Sequence, residues 1–163
     1  LLRMVLDHSV NDRIRITDEI DFLGQYLKLE TSRLQDLTYT VEANPNLIDE
    51  DAEIAALIVQ PFVENAVWHG LAEKAGPKHI GVQFGSNGTG IDCIITDNGI
   101  GRTNAAKARM APENHHTSLG MQLTSERLRL LSRRLKEETT IHVEDLVDAQ
   151  GLPEGTRITP HLS

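Results

Sequence analysis

Apolar side chains recur at Ile20, Leu23, Leu27 and Leu34, with Glu30 filling the position between, and this spacing predicts a helix over residues 18–36. Thr17 stands where an N-cap would be. Leu1, Leu2, Val5 and Leu6 read as the tail of an earlier helix, broken by the polar run from His8 to Arg13. The period then changes. Leu37, Tyr39 and Val41 alternate with polar residues, as a half-buried strand does, and Asn44-Pro45-Asn46 marks a turn. Ile54 to Val59 allow a short helical stretch; Pro61, poor inside a helix but well placed in its first turn, restarts it and carries it to about Gly70. Ile80, Val82 and Phe84 alternate up to a Gly-rich hairpin over Gly85 to Gly90, and Ile91, Cys93 and Ile95 alternate up to Asp97.

Residues 102–117 are polar and aperiodic, with Pro112 and the pair His115-His116, and predict a mobile loop. Leu119 to Lys136 form a strongly amphipathic helix, and Ile141/Val143 and Ile158 mark two final strands around the turn from Gly151 to Gly155. The order is helix, strand, helix, strand, strand, loop, helix, strand, strand. Grouped strands and long helices predict an α+β two-layer sandwich rather than a repeating βαβ fold.

Length and charge narrow the classes. The 163 residues, 39% of them hydrophobic, can bury one sizeable core. No apolar run approaches the roughly 20 residues that span a bilayer. The chain opens at Leu1 without a Met, so it is expected to be a soluble piece of something longer. A net charge of −8 argues against a nucleic-acid partner. The basic residues Arg127, Arg129, Arg133, Arg134 and Lys136 read as a solvated helix face. The single Cys93, inside an apolar strand pattern, reads as a buried structural thiol. None of the seven His residues has metal-ligand spacing with a Cys or a paired carboxylate.

The chemistry concentrates in three short stretches. In Gln60-Pro61-Phe62-Val63-Glu64-Asn65-Ala66-Val67-Trp68-His69-Gly70, Asn65 and His69 share one helix face, opposite an apolar stripe. An Asn amide oxygen suits Mg²⁺, which binds nucleotide phosphates with few protein ligands. In Asp97-Asn98-Gly99-Ile100-Gly101 an acid ends an apolar strand, where it can accept a hydrogen bond from an exocyclic amine such as that of adenine. Gly99 and Gly101 permit close backbone approach. Ser118-Leu119-Gly120 leads into a helix whose free N–H groups could face phosphate. Each stretch alone has an ordinary structural reading, as a half-buried surface pair, a plain turn or a Ser cap.

In this order the three resemble the nucleotide pocket of GHKL-type ATPases, with QPFVENAVWHG as the N box, DNGIG as the first glycine box and SLGMQLTSERLRLL as the second. Together with ITDEIDFLGQYLKLETSRL upstream, they most resemble the catalytic domain of LytS-type sensor histidine kinases, over nearly the whole chain. The resemblance implies a Bergerat-type fold, with helices on one face of a mixed, mostly antiparallel sheet, and ATP with Mg²⁺ as cofactors. It divides the chain at residue 36, with 1–36 ending the dimerisation and phosphoacceptor region and 37–163 forming the ATP-binding domain. It implies that Asn65 ligates Mg²⁺, that Asp97 binds adenine, and that Asn65, Glu64 and His69 form the catalytic set. Nucleotide contacts fall to Asn65, His69, Asp97, Gly99, Gly101, Ser118, Leu119, Gly120 and Thr156, with residues 102–117 as a lid. The activity implied is transfer of the ATP γ-phosphoryl group to a histidine upstream of the chain, and on to a response regulator. The parent is then a homodimer anchored in the inner membrane, with this domain in the cytoplasm.

The chain departs from the family pattern in places. Trp68, beside the expected phosphate site, stands where many relatives carry a Lys, and Ser118 replaces the first Gly of the second glycine box. Pro61 occupies the position of the GHKL hydrolases' Glu, and nothing matches the Asn-Pro-His-Phe acceptor box; the surroundings of His8 do not resemble it. Two alternatives stay open: a serine kinase or ATPase on the same fold, and a degenerate domain serving as an interaction module.

Overall fold

A computed structural model describes residues 13–102, 104–105 and 140–162 of the chain. The expected helix tail at the N-terminus, most of the 102–117 loop, the Ser118-Leu119-Gly120 motif and the helix from Leu119 lie outside these residues.

The first described helix, α1 (Ile16–Thr31), begins two residues earlier than its periodicity predicts and places Thr17 inside its first turn. Arg15 is the N-cap and makes no side-chain capping bond; its guanidinium pairs instead with Asp18. Ile16, Phe22, Leu23 and Leu27 are wholly buried, so α1 contributes one full face to the core. After a turn through Asp36 at φ 59° the chain enters β2 (Leu37–Ala43). Asn44-Pro45-Asn46 is more than a turn. Asn44 accepts a hydrogen bond from the Asn46 N–H and caps a short helix, α2 (Pro45–Asp49), with Pro45 in its first turn.

The stretch 54–59, expected to be helical, is not a helix. Residues Glu53–Ala55 form β3, which pairs antiparallel with β1 (Arg13–Arg15) as a two-stranded sheet. Leu57 then takes φ 61°, a conformation no helix tolerates. Helix α3 (Gln60–Asn65) starts afresh with Pro61 in its first turn and runs directly into a π-helical turn, Ala66–Leu71.

The main sheet has the order β2-β4-β5-β7-β6, with β4 (Lys78–Ser86), β5 (Ile91–Asp97), β6 (Thr140–Val147) and β7 (Pro153–Leu162). Only β2 and β4 pair in parallel, across the crossover that carries α2, β3 and α3; the other pairs are antiparallel. Ile80, Val82 and Phe84 on β4 and Cys93 and Ile95 on β5 point into one core with α1 and α3. The intervening His79 and Gln83 are exposed, the period-two pattern of a sheet covered on one face. This is a mixed, mostly antiparallel sheet under helices, the α+β class expected.

Candidate functional site

The pocket forms where α3 and its π turn meet the ends of β5 and β7. Its walls are Asn65, Ala66, His69, Gly70, Asp97, Gly101, Arg102, Ala105, Thr156 and Ile158, around a cavity of about 140 Å³. Register brings two of these together from distant sequence, since Asp97 on β5 lies directly across from Thr156 on β7. The π turn supplies others. Its wider ring is closed by the Ala72 N–H donating to the Val67 carbonyl at 2.9 Å. Asn65 and His69 both stand on the pocket wall, while Trp68 is not among its lining residues and is 47% exposed.

Asp97 is 4% exposed. Burial pushes its carboxyl up to about 6, against the opposing pull of N–H donors on Gly99 and Thr156 and the Lys74 ammonium. The Gly99 N–H reaches Oδ1 at 2.8 Å. Around it the turn is clamped. The Ile100 N–H donates to the Gly70 carbonyl at 3.0 Å and the Asn98 N–H to the His79 carbonyl at 3.1 Å, while Asn98 Oδ1 accepts from the His79 N–H at 2.7 Å. Glycine is required here by space. A Cβ on Gly70 would stand 2.8 Å from Asp97 Oδ1, one on Gly99 would overlap the Gly70 backbone, and one on Gly155 would overlap the Asp97 carbonyl. Gly101 combines φ +74° with a Cβ position 2.8 Å from the Pro153 Cβ.

Of the residues singled out in the sequence, Asn65, His69, Asp97, Gly101 and Thr156 line the cavity, and Gly99 buttresses it through Asp97. Glu64 does not line it; its Oε1 accepts from Gln60 Nε2 at 2.6 Å, one helical turn back. Trp68 is also absent from the pocket lining, and its ring lies under the Arg33 guanidinium at 4.3 Å. Ser118, Leu119 and Gly120 lie outside the described residues. Sequence reasoning missed Ala66, Gly70, Arg102, Ala105 and Ile158. Arg102, immediately after the glycine turn, is held by Asp145 of β6 in a two-bond pair of 2.6 and 2.7 Å. No local spacing announces that partner.

The donor set suits a purine nucleotide. Ala66, Ala105 and Ile158 give apolar walls, Asp97 offers a buried acceptor between them, and Asn65 and His69 stand at the helix edge. No cluster of three or more His, Cys, Asp or Glu among the described residues could hold a metal alone. One Asn oxygen fits a Mg²⁺ ion carried in on phosphate oxygens.

No family model matches the chain. It is 27% identical to sensor histidine kinase BtsS of Escherichia coli (strain K12) over 116 residues, 71% of this chain and 19% of that protein. It is 24% identical to sensor protein LytS of Oceanobacillus iheyensis over 153 residues, 88% of this chain and 25% of that one. The chain thus spans a quarter or less of these relatives. Among solved structures, the catalytic domain of histidine kinase ThkA matches with a TM-score of 0.60 at 11% identity, covering 92% of this chain and 95% of that one. The mycobacterial sensor histidine kinase MprB matches with a TM-score of 0.56 at 18% identity, over 92% and 95%. By sequence and fold together, the chain is a relative of the LytS-type sensor histidine kinases, with the GHKL catalytic-domain fold.

Proposed function

We propose that the chain is the ATP-binding catalytic domain of a two-component sensor histidine kinase. In this reading it transfers the ATP γ-phosphoryl group to a histidine outside these residues, from which a response regulator receives it. The single observation that carries the reading is the buried carboxylate of Asp97 in an apolar, purine-sized slot, with Asn65 and His69 a helical turn apart on the facing wall. Asp97 accepts the adenine amine. Gly70, Gly99 and Gly101 keep the turn close enough for it to do so. Asn65 ligates Mg²⁺, and His69 lies beside the phosphates. Mg²⁺-ATP supplies the transferable phosphoryl group, and the chain's part is positioning and charge neutralisation.

The same geometry supports a kinase over a hydrolase. Pro61 stands where GHKL hydrolases carry their Glu, and Glu64 is engaged by Gln60 away from the cavity. In the parent, a homodimer with its kinase domains in the cytoplasm is the assembly we expect. No helix among the described residues is long and apolar enough to cross a membrane.

Calorimetric titration with Mg²⁺-ATP tests the reading. Asp97→Asn should weaken binding by about 1–3 kcal/mol, because the adenine amine loses a charged acceptor. Asn65→Ala should remove the Mg²⁺-dependent part of the affinity and leave the adenosine-dependent part. Equal affinity of Asp97→Asn and wild type would strip Asp97 of the adenine role; full Mg²⁺ dependence in Asn65→Ala would do the same for the ion.

A further inference from the structure

The outer face of the pocket helix carries a second polar assembly that the nucleotide reading leaves unused. Arg33, in the turn after α1, lays its guanidinium over the Trp68 ring at 4.3 Å and donates from the same nitrogen to both oxygens of Glu30 at 3.1 Å. Glu30 is 4% exposed, and Arg33 pairs with it from the half-exposed side. Beneath them lies Tyr26, whose hydroxyl is pushed well above its ordinary range by burial and by the charges of Glu30 and Glu64. Gln60 Oε1 is buried without a hydrogen-bond partner, and the Tyr26 hydroxyl, also buried, interacts with the Trp68 side chain. An unpartnered buried atom stays in place only if the surrounding packing holds it there. The assembly therefore adds an exposed contact to the buried core that α1 already shares with α3 and the π turn.

We propose that Arg33 is a positioning residue, acting through Trp68 to fix the π turn and so the placing of Asn65, His69 and Gly70 on the pocket wall. Trp68 and His69 are neighbours in the same turn, so a shift of the indole turns the imidazole with it. A π turn is a local departure from the ordinary helical ladder and needs an external contact to select it over the α form. Gly70 passes the placement on, because its carbonyl receives the Ile100 N–H at 3.0 Å and its missing side chain leaves room for the Asp97 carboxylate, which a Cβ there would meet at 2.8 Å. A displacement of α1 thereby reaches the nucleotide pocket without any contact between α1 and nucleotide. The function of this link rests on the nucleotide reading; the mechanical coupling itself does not.

Amide hydrogen exchange on the whole chain, without nucleotide, tests the coupling. Arg33→Ala removes the cation, and Trp68→Lys sets a second cation against it. Both should speed exchange of the Ala72 and Ile100 amides about two- to fivefold, the worth of a half-exposed cation–π contact, while Val82 and Ile95 stay unchanged. Trp68→Phe keeps an aromatic face and should retain wild-type exchange. The double variant should be no worse than Arg33→Ala alone. Nucleotide affinity should fall by a similar factor in the first two variants. Unchanged exchange at Ala72 and Ile100, or an equal rise at Val82 and Ile95, would overturn the proposal. If exchange moves as expected but the wild-type chain binds no nucleotide, the coupling stands and the nucleotide reading fails.

Discussion

Asp97 shows how much one residue's surroundings decide. A carboxylate at the end of an apolar strand is costly, and the fold offsets part of that cost with N–H donors from Gly99 and Thr156. Its folded value of about 6, raised from 3.8 first by burial, gives a pH signature with a definite sign. The ligand's amine needs the ionised form. Affinity for adenosine, which carries no phosphate to titrate, should be constant above about pH 6 and fall up to tenfold per unit below it. Asp97→Asn, with nothing to titrate there, should be flat; a fall in the variant equal to wild type would place the titration elsewhere. Gly99 is constrained differently. Gly99→Ala drives a Cβ into the Gly70 backbone and should cost about 1–3 kcal/mol of stability, read as a lower Tm. An unchanged Tm would mean that the turn has room the contacts deny.

Helix α1 carries the least expected feature at the next scale. Glu19 is wholly buried, and neither of its oxygens has a hydrogen-bond partner. Burial pushes its carboxyl from 4.5 up to about 8. The folded protein therefore holds a proton that the unfolded chain releases above pH 4.5. Stability must fall as pH rises from 4.5 to about 8, and level off above that. Glu19→Leu, similar in size and apolar, removes this dependence. Urea unfolding across pH should show the variant's advantage growing by about 1.4 kcal/mol per unit through that window. A constant difference would mean that Glu19 is paired. The sequence pattern hides this feature because Glu19 falls on the apolar face of a helix whose other contacts read correctly. The same limit produced the errors nearby. Ile54 to Val59 has apolar residues at either spacing, and only the pairing of Ile54 with Ile14 and the positive φ of Leu57 exclude a helix. Strands β2, β4 and β5 were legible because each keeps strict period two with one face in the core.

Across the whole molecule, the pocket is assembled from segments some ninety residues apart, Asn65 to Thr156. What could be read in advance were residues of unusual type at local spacing: Asn65 with His69, and Asp97 with its glycines. What could not be read were contacts that register and tertiary approach create, such as Arg102 with Asp145 and Gly70 against Asp97. Side-chain direction was equally hidden. Trp68 lies outside the pocket against Arg33, and Glu64 turns back to Gln60. The claim that unites these scales is that nucleotide enters between the π turn and the Asp97 turn. Backbone NMR of the chain titrated with Mg²⁺-ATP tests it most directly. The account predicts saturable shifts at the amides of Asn65, His69, Gly70, Asp97, Gly99, Gly101 and Thr156, with none at the groove of Asn44, Gln83 and Gly85 at the far end of the sheet. Saturation with no shift in the first set, or with shifts confined to the second, would contradict it.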